Sequence, residues 1–75
     1  MIKSNVSSSN IDTIGYEKGD LFIRFKKNGR VYAYRNVSLA TFFSLKAAES
    51  AGKFFNRAIK PHYSCEELSY DPFVA

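Results

Sequence analysis

Asn28-Gly29 stands between two β-rich runs, Asp20-Leu-Phe-Ile-Arg-Phe-Lys27 and Arg30-Val-Tyr-Ala-Tyr-Arg35, and this arrangement constrains the fold more than any other part of the chain. A two-residue type I′ turn needs positive φ at both positions, which Asn-Gly supplies, so the two runs predict an antiparallel hairpin. A tight turn places Phe25 opposite Tyr32 and Ile23 opposite Tyr34. Strand side chains alternate, so Leu21, Ile23, Phe25, Tyr32 and Tyr34 share a core face. The reverse face then carries Phe22, Arg24, Lys26, Val31, Ala33 and Arg35, which is basic with one aromatic ring.

Upstream, Ile11, Ile14 and Tyr16 mark another strand, and Glu17-Lys18-Gly19-Asp20 reads as the turn into the hairpin. Downstream, Ser38 is a good helix N-cap, and Val37 before it is placed to staple onto Phe42. Leu39, Phe42 and Phe43 form a helical stripe, with the helix expected to reach about Ser50. Ala51-Gly52 reads as its stop, and Lys53 to Lys60 as a second short helix ended by Pro61. In that helix Phe54, Phe55, Ala58 and Ile59 form an apolar face, while Lys53, Arg57 and Lys60 recur at spacings of four and three on a basic one. The expected fold class is therefore α+β, a three-stranded antiparallel sheet with a central Asn-Gly hairpin, packed by two C-terminal helices. Residues 1–9, rich in Ser and Asn, read as a flexible arm, residues 10–63 as the domain, and residues 64–75 as an acidic tail. Tyr63, Tyr70 and Phe73 leave open whether the last segment docks as a strand or stays mobile.

Size argues against elaborate catalysis. A chain of 75 residues holds one core, and a domain this small buries only about 60% of its unfolded surface, leaving little material for a deep, dry cleft. The residues agree. His62 and Cys65 are three apart beside Pro61, without a third group to orient a base, and they supply two of the four ligands that a structural zinc site needs. The seven acids form no pair on a rigid face, and the four glycines fall singly, with no phosphate-binding loop among them. The chain is expected to be non-catalytic, with no cofactor and no metal. No run approaches a membrane span and the first residues, Met1-Ile2-Lys3-Ser4-Asn5, form no apolar leader, so a cytoplasmic, monomeric protein is expected.

Charge supplies the functional expectation. The first 65 residues hold all eleven Lys and Arg against four acids, a formal +7, whereas Glu66, Glu67 and Asp71 make the last ten acidic. A basic body points to phosphate-rich partners. Two basic groups compete for that role. On the hairpin, Arg24, Lys26 and Arg35 would meet phosphates while Phe22 or Tyr34 stacks an unpaired base. On the second helix, Lys53, Arg57 and Lys60 would follow a phosphate backbone. Each group also has a plain reading, as the solvated face of a sheet or of an amphipathic helix.

The order of these features resembles the KTSC domain. The resemblance is carried by Ser8-Ser9-Asn10-Ile11, Ile14-Gly15-Tyr16, Leu21-x-Ile23-x-Phe25, Gly29, Tyr32-Ala33-Tyr34, Val37 and Ala48-Glu-Ser-Ala-Gly-Lys-Phe-Phe-Asn56, across about residues 7–63. That family occurs alone in bacteria and phages and at the C-terminus of some lysyl-tRNA synthetases, and the latter attachment implies RNA binding. The expected function is a small module that binds RNA or another nucleic acid through a basic surface. A helix junction with Ser50, Gly52, Lys53 and Asn56 suits an anion, since the amides at a helix N-terminus are donors in search of acceptors. The alternative is a protein-interaction module, a phage or bacterial regulator docking on RNA polymerase or a translation component through the hairpin or the acidic tail.

Overall fold

The computed structural model describes residues 1–74. Five strands form one antiparallel meander in chain order: β1 (Ile2–Asn5), β2 (Ile11–Glu17), β3 (Asp20–Phe25), β4 (Val31–Tyr34) and β5 (Cys65–Glu67). Between β4 and β5 run α1 (Leu39–Ala47) and α2 (Ala51–Phe54), and α2 continues without a break as a π-helical turn, Phe55–Ile59. The α+β class and the two helices agree with the sequence, but the sheet has five strands rather than three. Both extra strands come from segments expected to lie outside the domain. β1 pairs with β2, setting Ile2 against Tyr16, and β5 pairs with β4, setting Tyr34 against Cys65 and Tyr32 against Glu67.

The tight turn is one hairpin earlier than expected. Glu17 pairs with Asp20 across Lys18 (φ 51°) and Gly19 (φ 84°), the two consecutive positive φ angles of a type I′ turn. At the β3–β4 connection only Gly29 has positive φ, and Asn28 instead uses its Oδ1 to accept from the Arg30 amide at 3.0 Å. Gly29 N donates to Phe25 O, and Phe25 N to Arg30 O, closing a loop two residues longer than the tight turn. Ile23 therefore pairs with Tyr32, and Leu21 with Tyr34. A slip of two leaves every side chain on its own face, so the expected core face survives the wrong register.

That face is covered by the helices. Ser38 Oγ caps α1 by accepting from Thr41 N, and Phe42 and Leu45 point into a core with Ile11, Ile14, Ile23 and Ile59, all fully buried. Burying a ring such as Phe42 contributes roughly 1.5–3 kcal/mol. Tyr16, in the same cluster, donates its hydroxyl to Val37 O at 2.6 Å and ties β2 to the entry of α1. The break between the helices falls earlier than expected: Ala48 is already extended (ψ 141°), and Ser50 caps α2, so Ala51 and Gly52 begin the second helix rather than end the first.

The reverse face of the sheet is covered as well. Phe22, Val31 and Ala33 form a second cluster beneath Leu68 and Phe73 of the C-terminal segment. Gly15 makes room for this cover, because a Cβ there would lie 2.8 Å from the Phe73 ring and 2.6 Å from Met1 Sδ. Among the described residues no helix is long and apolar enough to cross a membrane, and no three metal-ligating side chains gather.

Candidate functional site

The hairpin's arginines are engaged by acids. Arg24 projects from β3 on the reverse face, where its Nε meets Asp12 Oδ2 at 3.0 Å, Nη1 meets Asp71 Oδ2 at 2.7 Å, and Nη2 donates to Thr13 Oγ1 at 3.2 Å. The guanidinium also lies 5.3 Å from the centre of the Phe73 ring, within cation–π range. The hydrogen bond that Arg24 donates to Asp71, with the attraction of both carboxylates, raises the Arg24 pKa against the opposing effect of burial. Burial alone would raise Asp71, but the Arg24 hydrogen bond and the Phe73 amide outweigh it and hold the carboxyl below its usual range. Arg35 is paired with Glu66 and with Asp20 (2.8 Å), and Arg30 lies 3.6 Å from Glu67. Lys26 Nζ donates to Ser8 O at 2.9 Å.

The two rings named as base-stacking candidates are enclosed. Phe22 is 8% exposed under Leu68 and Phe73, and Tyr34 is 5% exposed, edge-on to Phe55. Burial, with smaller effects from neighbouring Cys65 and Tyr32, raises the pKa of the Tyr34 hydroxyl. Neither ring presents an open face for a base to stack on.

The second helix differs. Lys53, Arg57 and Lys60 are exposed, and among the described residues none lies within ion-pair distance of an acid. Lys53 and Arg57, one turn apart, border an open groove of about 700 Å³ between α1 and α2, which Glu49 and Ser50 also line. Arg57 rests 5.8 Å over the Phe54 ring, which holds the guanidinium against the helix without neutralising it. The expected amide cradle is not free: Lys53 N donates to Ser50 Oγ and Ala51 N to Ser7 O, so these amides at the start of α2 are used by the fold itself.

Lys60 leaves the stripe. The π-helical turn is wider than an α-helical one, and it carries Lys60 round to a separate recess of about 350 Å³ between the helix and the β4–β5 side of the sheet. Phe25, Tyr32 and Phe55 line this recess with Asn10, Asn56 and Lys60. Phe25 meets Tyr32 and Phe55 edge-to-face, with centroids 5.7 and 5.8 Å away. Gly52 also lines it, and its missing Cβ would lie 3.3 Å from Ser8 Oγ, so glycine lets α2 close against the chain at Ser8 and Asn10. Asn10, Tyr32, Tyr34, Gly52 and Asn56, which carry the family resemblance in three separate stretches, thus line one recess. The helical spacing revealed Lys53 and Arg57, but nothing in residues 50–60 alone pointed to Asn10.

The sequence matches the KTSC domain over residues 7–63. The chain belongs to the KTSC domain family. A protein of Tsukamurella paurometabola is 40% identical over 65 residues, covering 84% of this chain and 96% of its own length. The crystal structure of a KTSC domain protein from Yersinia pestis is similar with a TM-score of 0.80 at 34% identity, over 88% of this chain and 94% of that one. The matched span of the KTSC domain runs from the Ser7–Asn10 segment past the end of the π-helical turn to residue 63, and so includes Asn10, Asn56 and all three helix cations.

Proposed function

We propose that the protein is a non-catalytic module that binds single-stranded RNA, working as a monomer in the cytoplasm. The observation that carries this reading is the contrast in pairing: Lys53, Arg57 and Lys60 are exposed cations without acidic partners among the described residues, whereas Arg24, Arg30 and Arg35 are all paired. Unpaired cations on a rigid helix attract phosphate with little reorganisation. The groove beside Lys53 and Arg57 gives a strand a track, and Lys60 adds a cation at the separate recess on the same helix.

The test is the affinity of the full chain for a mixed-sequence RNA oligonucleotide, measured by fluorescence anisotropy over a salt series. The double variant Lys53→Glu/Arg57→Glu is expected to lose about tenfold or more in affinity at low salt. Each phosphate contact removed lowers the magnitude of the log-affinity against log-salt slope by about 0.7 for a single strand. Unchanged affinity and slope in a folded double variant would exclude this surface.

A second reading rests on α1. Leu39 and Phe43, one turn apart, are 43% and 46% exposed, and they would suit a protein partner. Binding to such a partner would be far less sensitive to salt than binding to phosphate.

A further inference from the structure

The recess between the π-helical turn and the sheet differs in chemistry from the groove beside Lys53 and Arg57. The groove is open, shallow and partly acidic through Glu49. The recess is smaller, is lined by aromatic rings, and has no carboxylate among its lining residues. Its volume of about 350 Å³ lies at the low end of the roughly 300–1,000 Å³ typical of small-molecule sites. Asn10 and Asn56 both line it, and neither side-chain amide is hydrogen-bonded within the protein among the described residues. A carboxamide offers two N–H donors and a carbonyl acceptor on one plane, the complement of a base edge. Lys60 adds one cation at the same site, whereas Lys53 and Arg57 line the groove.

A planar, weakly polar ring with donors and acceptors on its rim, attached to a phosphate, satisfies all of these features together. We propose that the recess takes one unstacked nucleobase of the bound single strand. In this arrangement the base lies against the half-buried rings of Phe25 and Tyr32, its edge meets Asn10 and Asn56, and its phosphate meets Lys60. The proposal rests on the RNA reading above and adds a base-recognition site to a surface that otherwise contacts only the backbone. It also gives the π-helical turn a role, since that turn is what separates Lys60 from Lys53 and Arg57.

The experiment compares a short RNA oligonucleotide with versions in which each base in turn is replaced by an abasic residue, on the full chain and on Asn56→Leu. Asn56 is exposed, so the substitution leaves the core intact. In parallel, the side-chain amide resonances of Asn10 and Asn56 are followed by NMR, and the rate of Cys65 alkylation by iodoacetamide is measured, because this exposed thiol also lines the recess. The expected result is one abasic position that costs about tenfold in affinity, the range of a single base–aromatic stack. Asn56→Leu should weaken the intact oligonucleotide more than the version abasic at that position, both side-chain amides should shift, and bound RNA should slow Cys65 alkylation several-fold. If RNA binds through Lys53 and Arg57 while all abasic versions bind alike and the asparagine amides stay still, the recess proposal is overturned and the surface reading stands. If no RNA binds at low salt, both fall together.

Discussion

The hairpin from Asp20 to Arg35 carries five cations and the second helix three, and the arginines of the two differ in what the rest of the chain does to each. On the hairpin, Arg24 is held by Asp12 and Asp71, and Arg35 by Asp20 and Glu66. Two of those four acids come from the C-terminal segment, more than 30 residues away in sequence. On the helix, Lys53, Arg57 and Lys60 meet no acid within ion-pair distance among the described residues. Counting positive residues therefore says little about where an anion binds. An arginine inside a local ion network contributes to the fold, and only an unpartnered cation is available for a ligand.

The largest effect expected to sharpen this contrast is on stability. Arg24→Ala leaves Asp12 and Asp71 facing each other without their shared cation at a site where the Arg24 side chain is only 23% exposed. The expected loss is about 2 kcal/mol, between the figures for exposed and buried pairs. Lys53→Ala, with no partner to orphan, should stay within about 0.5 kcal/mol of the parent. Urea unfolding of the two variants measures both, and equal losses would break the distinction.

A smaller effect is expected from pH. The Asp71 carboxyl is held below its usual range chiefly by Arg24 acting against burial. A group whose folded pKa is depressed stabilises the fold at pH above its unfolded value and loses that contribution as pH falls through the folded one. Acidification below the usual carboxylate range should therefore loosen the contact of the C-terminal segment with the sheet, seen as movement of the Phe73 resonances toward unstructured positions. Asp71→Asn should remove this acid-dependent step. Resonances of the buried Phe55 and Ile59 in the helix should stay still through the same range.

Much of the sheet was legible because the core strands obey simple alternation. Leu21, Ile23 and Phe25 fall on one face and Phe22 and Arg24 on the other, and a register error of two residues did not disturb that assignment. The two edge strands were not legible for the opposite reason. β5 is Cys-Glu-Glu, exposed throughout, and β1 has Ile2 as its sole large apolar residue. Short, charged strands of this kind are what edges need to resist pairing with other chains, so they carry little strand signal. The cover on Phe22 had a trace in the sequence, since Leu68 and Phe73 are apolar residues in a polar segment whose acids match the hairpin's arginines in charge. The basic helix was read from its spacing, but spacing alone assumes a regular α-helix, and the π-helical turn moved Lys60 to another site. Asn10 escaped because only the closure of α2 against the Ser8–Asn10 segment, through Gly52, brings it to the recess.

The most direct test of the contrast is an NMR titration of the isotope-labelled full chain with single-stranded RNA at two salt concentrations. The account predicts shifts concentrated at Lys53, Arg57, Lys60 and Asn56 that fade as salt rises, with Arg24 and Arg35 unmoved in their ion pairs. Shifts centred on Arg24, Lys26 and Arg35, or none at the lower salt concentration, would contradict it.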